Sequence, residues 1–333
     1  MTQEKFLQDL EAFLEEWNNA SPTLEVHTSG STGTPKALQV EKKRMIASAR
    51  QTCRFLGLKE GDTALLCMPL QYIAGKMVVV RSLIAGLELI PVAPCGHPLA
   101  TLNQAPHFAA MTPMQVYNSL QEENEKSLLK NINQLIIGGG AIDTKLAHEL
   151  KNFPHHVWST YGMTETLSHI ALRRLNGKEA SDWYTPFDSV RIRLSEEGTL
   201  IIHAPDVCPE ELITNDIVEI NEKGNFCILG RKDNTINSGG VKIQIEQLEE
   251  QLKTVLNVPF QITSAPDKKF GEVVVLLYEG TDETDITSIC QQTLPPYRVP
   301  KHYLSVDKLP TTGTGKPDRA SAKRLCQTLV KQE

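Results

Sequence analysis

The chain has 333 residues, 40% hydrophobic and 22% charged, which suits a globular protein of two domains. Its net charge of -6 gives no basic field for nucleic acid and no attraction to an anionic membrane. The seven cysteines are scattered and never spaced C-x-x-C, which argues against a disulfide framework or a zinc site and makes a reduced cytoplasm the default. The first 17 residues carry no basic n-region, so they read as a helix and not as a signal peptide, with Phe6, Leu10, Phe13, Leu14 and Trp17 on one stripe. The most apolar stretch, 77–94, is interrupted by Arg81 and Glu88 and is too short and too charged to span a bilayer.

A strand at 24–27 runs into a loop rich in Gly, Ser and Thr. Helices are then expected at 44–56, 75–84, 113–122 and 143–151, alternating with strands at 63–68, 87–92, 135–137 and 157–160. Strand and helix taking turns predicts an α/β sheet with helices on its faces. After about residue 188 the texture changes to short strands at 190–194, 199–203, 218–220 and 226–229, a β-rich end to the first domain. Beyond Gly230-Arg231-Lys232-Asp233 the pattern reads helix 245–256, strands 260–264 and 273–278, helix 286–294, strand 303–306 and helix 320–331. The expected architecture is therefore α/β: a large N-terminal α/β domain over 1–232 with a β-rich end, and a small α+β C-terminal domain over 233–333.

The loop Thr28-Ser29-Gly30-Ser31-Thr32-Gly33-Thr34-Pro35-Lys36 is the strongest local signal. Its glycines let backbone approach an anion, its hydroxyls and N–H groups donate, and Lys36 adds charge, so it reads as a phosphate nest. The lysine follows proline, so this is not a Walker A loop. Gly138-Gly139-Gly140-Ala141 ends a strand where a flat ring could lie on bare backbone, although a structural turn reads equally well. Tyr161-Gly162-Met163-Thr164-Glu165 offers an aromatic face, a hydroxyl and a carboxylate after another strand. A carboxylate beside a phosphate site serves as a Mg²⁺ ligand; a surface or helix-capping glutamate is the plain alternative.

Taken in order, these segments resemble the adenylate-forming superfamily of acyl-CoA synthetases, peptide-synthetase adenylation domains and luciferases. The 28–36 loop resembles its phosphate-loop signature, and Tyr161 to Glu165 its Tyr-Gly-x-Thr-Glu signature. Thr214-Asn215-Asp216 matches its Thr-Gly-Asp segment, with Asn215 in place of glycine. Gly230 to Asp233 and Ser238-Gly239-Gly240-Val241-Lys242-Ile243 match the hinge and the loop after it. Leu294-Pro295-Pro296-Tyr297-Arg298-Val299-Pro300 also fits, and Pro310 to Arg319 matches the segment with the catalytic lysine, Lys316.

The resemblance implies roles. Asp216 would accept hydrogen bonds from the ribose diol and Arg231 would contact ribose or phosphate. Gly138, Gly139, Gly140 and Ala141 would sandwich adenine with Tyr161. Thr164 would touch the α-phosphate and Glu165 would hold Mg²⁺. Lys316 would offset charge as a carboxylate attacks the α-phosphorus. The C-terminal domain would be mobile, swinging about Asp233 and bringing Gly239 and Gly240 to guide coenzyme A onto the acyl-AMP. The implied partners are a small carboxylic acid, ATP and coenzyme A, and self-association into a homo-oligomer stays open.

Two departures narrow the resemblance. Only 27 residues precede the phosphate loop, far fewer than in most members, so part of the first subdomain is expected to be missing or reduced. That short form is similar to bacterial o-succinylbenzoate–CoA ligases of menaquinone biosynthesis. Met68-Pro69-Leu70-Gln71-Tyr72-Ile73-Ala74-Gly75 matches the superfamily's acid-pocket segment, with Tyr72 where histidine is usual. Arg81, six residues after Gly75, matches the basic residue that in those ligases binds the second carboxylate of the substrate. A buried arginine needs a partner, and either a dicarboxylate or a structural acid such as Glu88 would supply it. An enzyme loading a carrier protein, another aryl- or acyl-CoA ligase, and a non-catalytic nucleotide-binding protein are the other readings.

Overall fold

The structure, a computed structural model, describes residues 1–27, 37–140, 142, 144–280, 283–311 and 317–330. The expected site residues Thr28, Ser29, Gly30, Ser31, Thr32, Gly33 and Lys36, together with Ala141 and Lys316, lie outside the described residues. The chain divides into two compact units. The first comprises Met1–Arg193, Ile201–Leu212 and Ile220–Cys227; the second comprises Leu194–Leu200, Ile213–Glu219 and Ile228–Glu333.

The first unit begins with α1 (Gln3–Asn18), whose stripe of Phe6, Leu10 and Phe13 is buried as its spacing requires. Strands β1 (Thr23–His27) and β2 (Ala37–Glu41) pair antiparallel from Thr23↔Glu41 to His27↔Ala37, so the 28–36 segment departs from and rejoins paired residues. Helix α2 (Lys42–Leu56) follows, then β3 (Thr63–Leu66), α3 (Ile73–Ala85), β4 (Glu88–Pro91), β5 (Phe108–Met111), α4 (Pro113–Gln121) and α5 (Glu123–Lys130). The remaining elements of the unit's main sheet are β6 (Gln134–Ile137), α6 (Thr144–Leu150), β7 (His156–Gly162), β8 (His169–Arg174) and β9 (Thr185–Pro186).

These strands form a seven-stranded sheet ordered β4-β3-β5-β6-β7-β8-β9. The pairs from β4 to β7 are parallel, whereas β8 and β9 add antiparallel. Parallel strands covered on both faces read as continuous apolar runs, and all four residues of β5 are buried. Leu65, Met111, Leu135, Ile137 and Val157 join Val116, Leu129 and Leu146 from the helices in one core. Helix α3 is buried along eight consecutive residues, Gly75 to Ser82. A helix that is apolar nearly all round belongs inside, and this one carries two charges, Lys76 and Arg81, with it. Lys76 donates to the Glu25 carbonyl at 2.6 Å and lies over the Phe13 ring, which ties β1 and α1 to α3.

Four short strands come next, β10 (Arg191–Leu194), β11 (Thr199–His203), β12 (Leu212–Ile220) and β13 (Phe226–Arg231), their residues divided between the two units. The second unit continues with β14 (Thr235–Ser238), β15 (Val241–Gln244), α7 (Ile245–Lys253), β16 (Phe260–Asp267), β17 (Gly271–Glu279), α8 (Glu283–Thr293), β18 (His302–Val306) and α9 (Arg319–Leu329). Its five-stranded sheet runs β15-β14-β17-β16, with β18 parallel to β17. Along β17 successive side chains serve opposite faces. Val274, Leu276 and Tyr278 pack with Leu248 and Cys290, whereas Val273, Val275 and Leu277 pack with Ala322 and Cys326. The mixed α/β class expected from the alternation of segments is the class found. Among the described residues no helix is long and apolar enough to cross a membrane.

Candidate functional site

In open α/β sheets, ligands bind beyond the carboxyl ends of the parallel strands. In the first unit the expected residues gather at that edge. Tyr72 and Gly75 follow β3, Gly138 to Gly140 follow β6, and Tyr161 to Glu165 end and follow β7.

Two of these glycines are demanded by their neighbours. A Cβ on Gly138 would lie 2.4 Å from Thr160 Oγ1, and one on Gly162 would lie 2.3 Å from the Ser168 carbonyl oxygen. Gly139 has φ of +78°, a left-handed conformation that side chains avoid. The Tyr161 ring is buried against Phe226 and Tyr184, with centroids 5.0 and 5.8 Å away. Tyr184 and Phe226 exchange backbone hydrogen bonds and stack with centroids 5.4 Å apart, so Tyr161 sits in an aromatic cluster built from distant sequence.

The turn after Tyr161 is tightly wound. Thr164–Thr166 form one 3₁₀ turn. The fully buried Thr166 hydroxyl lies within hydrogen-bond range of the Met163 amide and of two carbonyls, those of Met163 and Ser168. Leu167, with φ of +64°, is the one non-glycine residue with positive φ among the described residues. Ser168 N donates across it to the Thr166 carbonyl at 2.7 Å, a γ-turn in its strained form. Strain of this kind costs on the order of 1–3 kcal/mol and persists only where the surroundings enforce it. Thr164 is half-buried on this turn, and Glu165 is exposed, without a hydrogen bond or ion pair among the described residues.

Arg81 reaches the same turn from α3. Its guanidinium is buried, and Nη2 donates to Ser168 Oγ at 2.5 Å. Nε has no hydrogen-bond partner, and no carboxylate pairs with Arg81 among the described residues. Glu88, the structural acid considered as its partner, is exposed on β4. Burial pulls the Arg81 pKa down to about 10.

Behind it Ser168 Oγ lies 3.3 Å from His169 Nδ1, and His169 Nε2 lies 3.0 Å from Thr52 Oγ1, which donates to the Ser48 carbonyl. Burial, with the Arg81 charge, holds His169 well below its usual pKa, so the ring is neutral. With Ser168 donating to Nδ1 and Nε2–H donating to Thr52, the polar protons of Ser168, His169 and Thr52 each have an acceptor, and none of these groups is an anion. Ser168, His169 and Thr52 were not singled out in the sequence. The apolar stretch around Arg81 was the one signal, and it gave no hint of partners 87 residues away.

Tyr72 precedes the first turn of α3, where its side chain makes no capping bond, and is half-buried. Gly75 is buried against backbone, since a Cβ there would meet the Pro69 carbonyl oxygen at 2.5 Å. Its place in the fold is to let the first turn of α3 press onto Pro69.

The second unit holds the other expected residues. Asp216 on β12 is largely buried and pairs with Arg231 Nη1 at 3.1 Å, while Arg231 Nη2 reaches Asp233 at 3.2 Å. Asn215, the residue in the usual glycine position, donates to the same Asp233 oxygen at 3.1 Å. Asp216, Arg231, Asn215 and Asp233 thus form one network. Gly239 and Gly240 form the two-residue turn between β14 and β15, with φ of +58° and +85°. That is the glycine pair a tight hairpin of this hand favours, and a Cβ on Gly240 would meet nothing within 4 Å.

With this geometry in hand, comparison with known proteins gives consistent findings. The model of a family described as AMP-binding enzyme matches residues 4–207. A 2-succinylbenzoate–CoA ligase of Listeria monocytogenes is 27% identical over 94% of this chain and 72% of its own length. A solved structure of an acyl-CoA synthetase (AMP-forming)/AMP-acid ligase II-like protein from Dyadobacter fermentans is 33% identical, with a TM-score of 0.68, over 95% of this chain and 93% of that one. The fold is also that of the o-succinylbenzoate coenzyme A synthetase of Bacillus subtilis, solved in complex with ATP and magnesium ion, at 22% identity and a TM-score of 0.72 over 90% of this chain and 69% of that one.

Proposed function

The chain belongs to the AMP-binding enzyme family, and from that premise we propose that it is an AMP-forming acid–CoA ligase whose acid is 2-succinylbenzoate. The observation that carries the choice of acid is the buried Arg81 guanidinium, aimed at the turn after Glu165, with no partner for Nε and no carboxylate beside it among the described residues. A buried cation is costly without a counter-charge. A dicarboxylate substrate presents one carboxylate for reaction and a second to meet Arg81. The names of the similar ligases accord with this reading. The cysteines, scattered along the chain, accord with a reduced compartment, the cytoplasm.

In this reading the 28–36 loop and Thr164 bind the phosphates, Gly138 to Ala141 and Tyr161 hold adenine, and Asp216 and Arg231 hold the ribose. The acid's carboxylate oxygen attacks the α-phosphorus, the bond to the β-phosphate oxygen breaks, and pyrophosphate leaves. Lys316 offsets the charge that builds at the α-phosphate. Coenzyme A's sulfur then attacks the acyl carbonyl, its thiol proton goes to solvent, and AMP departs. Bending at Asp233 would withdraw Lys316 and bring Gly239 and Gly240 toward the thiol. Mg²⁺ takes one or two carboxylates beside a nucleotide's phosphates and keeps several waters. The exposed Glu165 carboxylate, unpaired among the described residues, fits that need, and the ion would screen phosphate charge.

The test is pyrophosphate release and thioester formation with 2-succinylbenzoate, benzoate, medium-chain acids and amino acids, each with and without coenzyme A. The expected result is preference for 2-succinylbenzoate, with thioester formed when coenzyme A is present. Arg81→Gln should raise KM for the dicarboxylate about tenfold or more, the value of a charged hydrogen bond, and leave KM for benzoate nearly unchanged. Equal losses on both acids would reject Arg81 as the selector, and release that ignores coenzyme A would point to a carrier protein as acceptor.

A further inference from the structure

The segment that carries Lys316 is bounded in the sequence by Pro310-Thr311 and Pro317-Asp318, both within the second unit. Thr311 and Pro317 pair as an antiparallel bridge, and Asp318 N donates to the Pro310 carbonyl at 3.0 Å. Each limb is also tied by a side chain. On the outgoing limb, buried Gln261 donates from Nε2 to the Pro310 carbonyl at 2.8 Å. On the return limb, Arg319 grips Glu249 through two parallel bonds of 2.6 Å. Glu249, itself buried, also accepts from Ile262 N at 2.9 Å. Asp318 caps α9 by accepting from Ser321 N at 2.9 Å. Both limbs are therefore fastened to two consecutive residues, Gln261 and Ile262, at the start of β16.

This is an expensive way to stabilise a fold. Gln261 Oε1 finds no hydrogen-bond partner among the described residues, and a buried acceptor left unmade is unfavourable. A buried ion pair adds little net stability over apolar packing. What a planar two-pronged pair supplies is direction. Lys316 is the residue immediately before Pro317 in the sequence, so the return limb is the covalent anchor of its segment, and a displacement of about 1 Å at a reacting centre can cost on the order of a hundredfold in rate.

We infer that Gln261, Glu249 and Arg319 are positioning residues for adenylation, acting through Lys316 without touching substrate. This rests on the role given to Lys316 above. The clamp belongs to one half-reaction, because only acyl-AMP formation uses that lysine.

The experiment takes the full chain and measures pyrophosphate release from ATP and acid apart from thioester formation from supplied acyl-AMP. Arg319→Lys keeps the charge and removes the fork, and Gln261→Met keeps the volume and removes the bond. Both should lower kcat of adenylation about tenfold or more, with KM for ATP within about twofold and transfer from acyl-AMP within about twofold. Glu249→Gln, which can still accept one bond from Arg319, should fall between wild type and Arg319→Lys. Equal loss in both half-reactions, or no loss in adenylation, overturns the clamp. Lys316→Ala runs beside them. If it leaves adenylation intact, the reading beneath the clamp has failed, whereas an inactive Lys316→Ala beside unaffected Arg319→Lys and Gln261→Met rejects the clamp alone.

Discussion

Arg81 and His169 occupy one buried row and differ in charge because of it. The sequence made Arg81 conspicuous, a lone cation in an apolar run, but could not say what it faced. Its hydrogen-bond partner, Ser168, arrives on a strained turn that only β7 and β8 pairing creates. His169 was invisible for the same reason, since a histidine in a strand reads as surface until its neighbours are known. Its depressed pKa gives a pH prediction. The unfolded ring gains a proton near 6.5, while the folded ring resists until well below that. The unfolded state therefore binds more protons as pH falls below 6.5, and stability falls with it, by up to about 1.4 kcal/mol for each pH unit until the folded ring titrates. Urea unfolding at several pH values between about 7.5 and 5 should show this slope flattened in His169→Gln relative to wild type. Equal slopes in the two proteins would mean that the ring is accessible to protons in the fold.

At the scale of elements, the alternation of strands and helices was readable because each amphipathic or apolar run has its own period. What escaped were elements whose identity depends on their neighbours. Strand β5, Phe108-Ala109-Ala110-Met111, is rich in alanine, a weak strand former, yet lies between β3 and β6 in the sheet and is wholly buried. Helix α5 begins at Glu123, separated from α4 by the single extended residue Glu122, and lies beyond the one helix expected at 113–122. Strand β8 begins after the Leu167 γ-turn, a conformation that no local pattern announces. The glycines of 138–140 were legible as a bare platform, but the reason for Gly138 is Thr160 on the next strand. Gly75 makes the same point in testable form. Alanine would raise the helix propensity of α3 by about 1 kcal/mol, but its Cβ would lie 2.5 Å from the Pro69 carbonyl oxygen, which is backbone and cannot swing aside. Gly75→Ala should therefore destabilise by about 1–3 kcal/mol in thermal unfolding; a gain in stability would show that the 68–70 turn yields.

At the scale of the molecule, the residues expected to serve one reaction are distributed over two compact units. The first offers a sheet edge with three glycines, an aromatic cluster, an exposed acid and a buried arginine. The second offers an acid–arginine network around Asp233 and the clamped ends of the segment bearing Lys316. Such a division suits chemistry in two steps, and its centre is the bond made between the acid's own carboxylate oxygen and the α-phosphorus. That bond leaves a mark in the products. When 2-succinylbenzoate labelled with heavy oxygen in its reacting carboxylate is turned over with ATP and coenzyme A, mass spectrometry should find one heavy oxygen in the AMP and none in pyrophosphate. Label appearing in inorganic phosphate beside ADP, or AMP formed without label, would contradict the account.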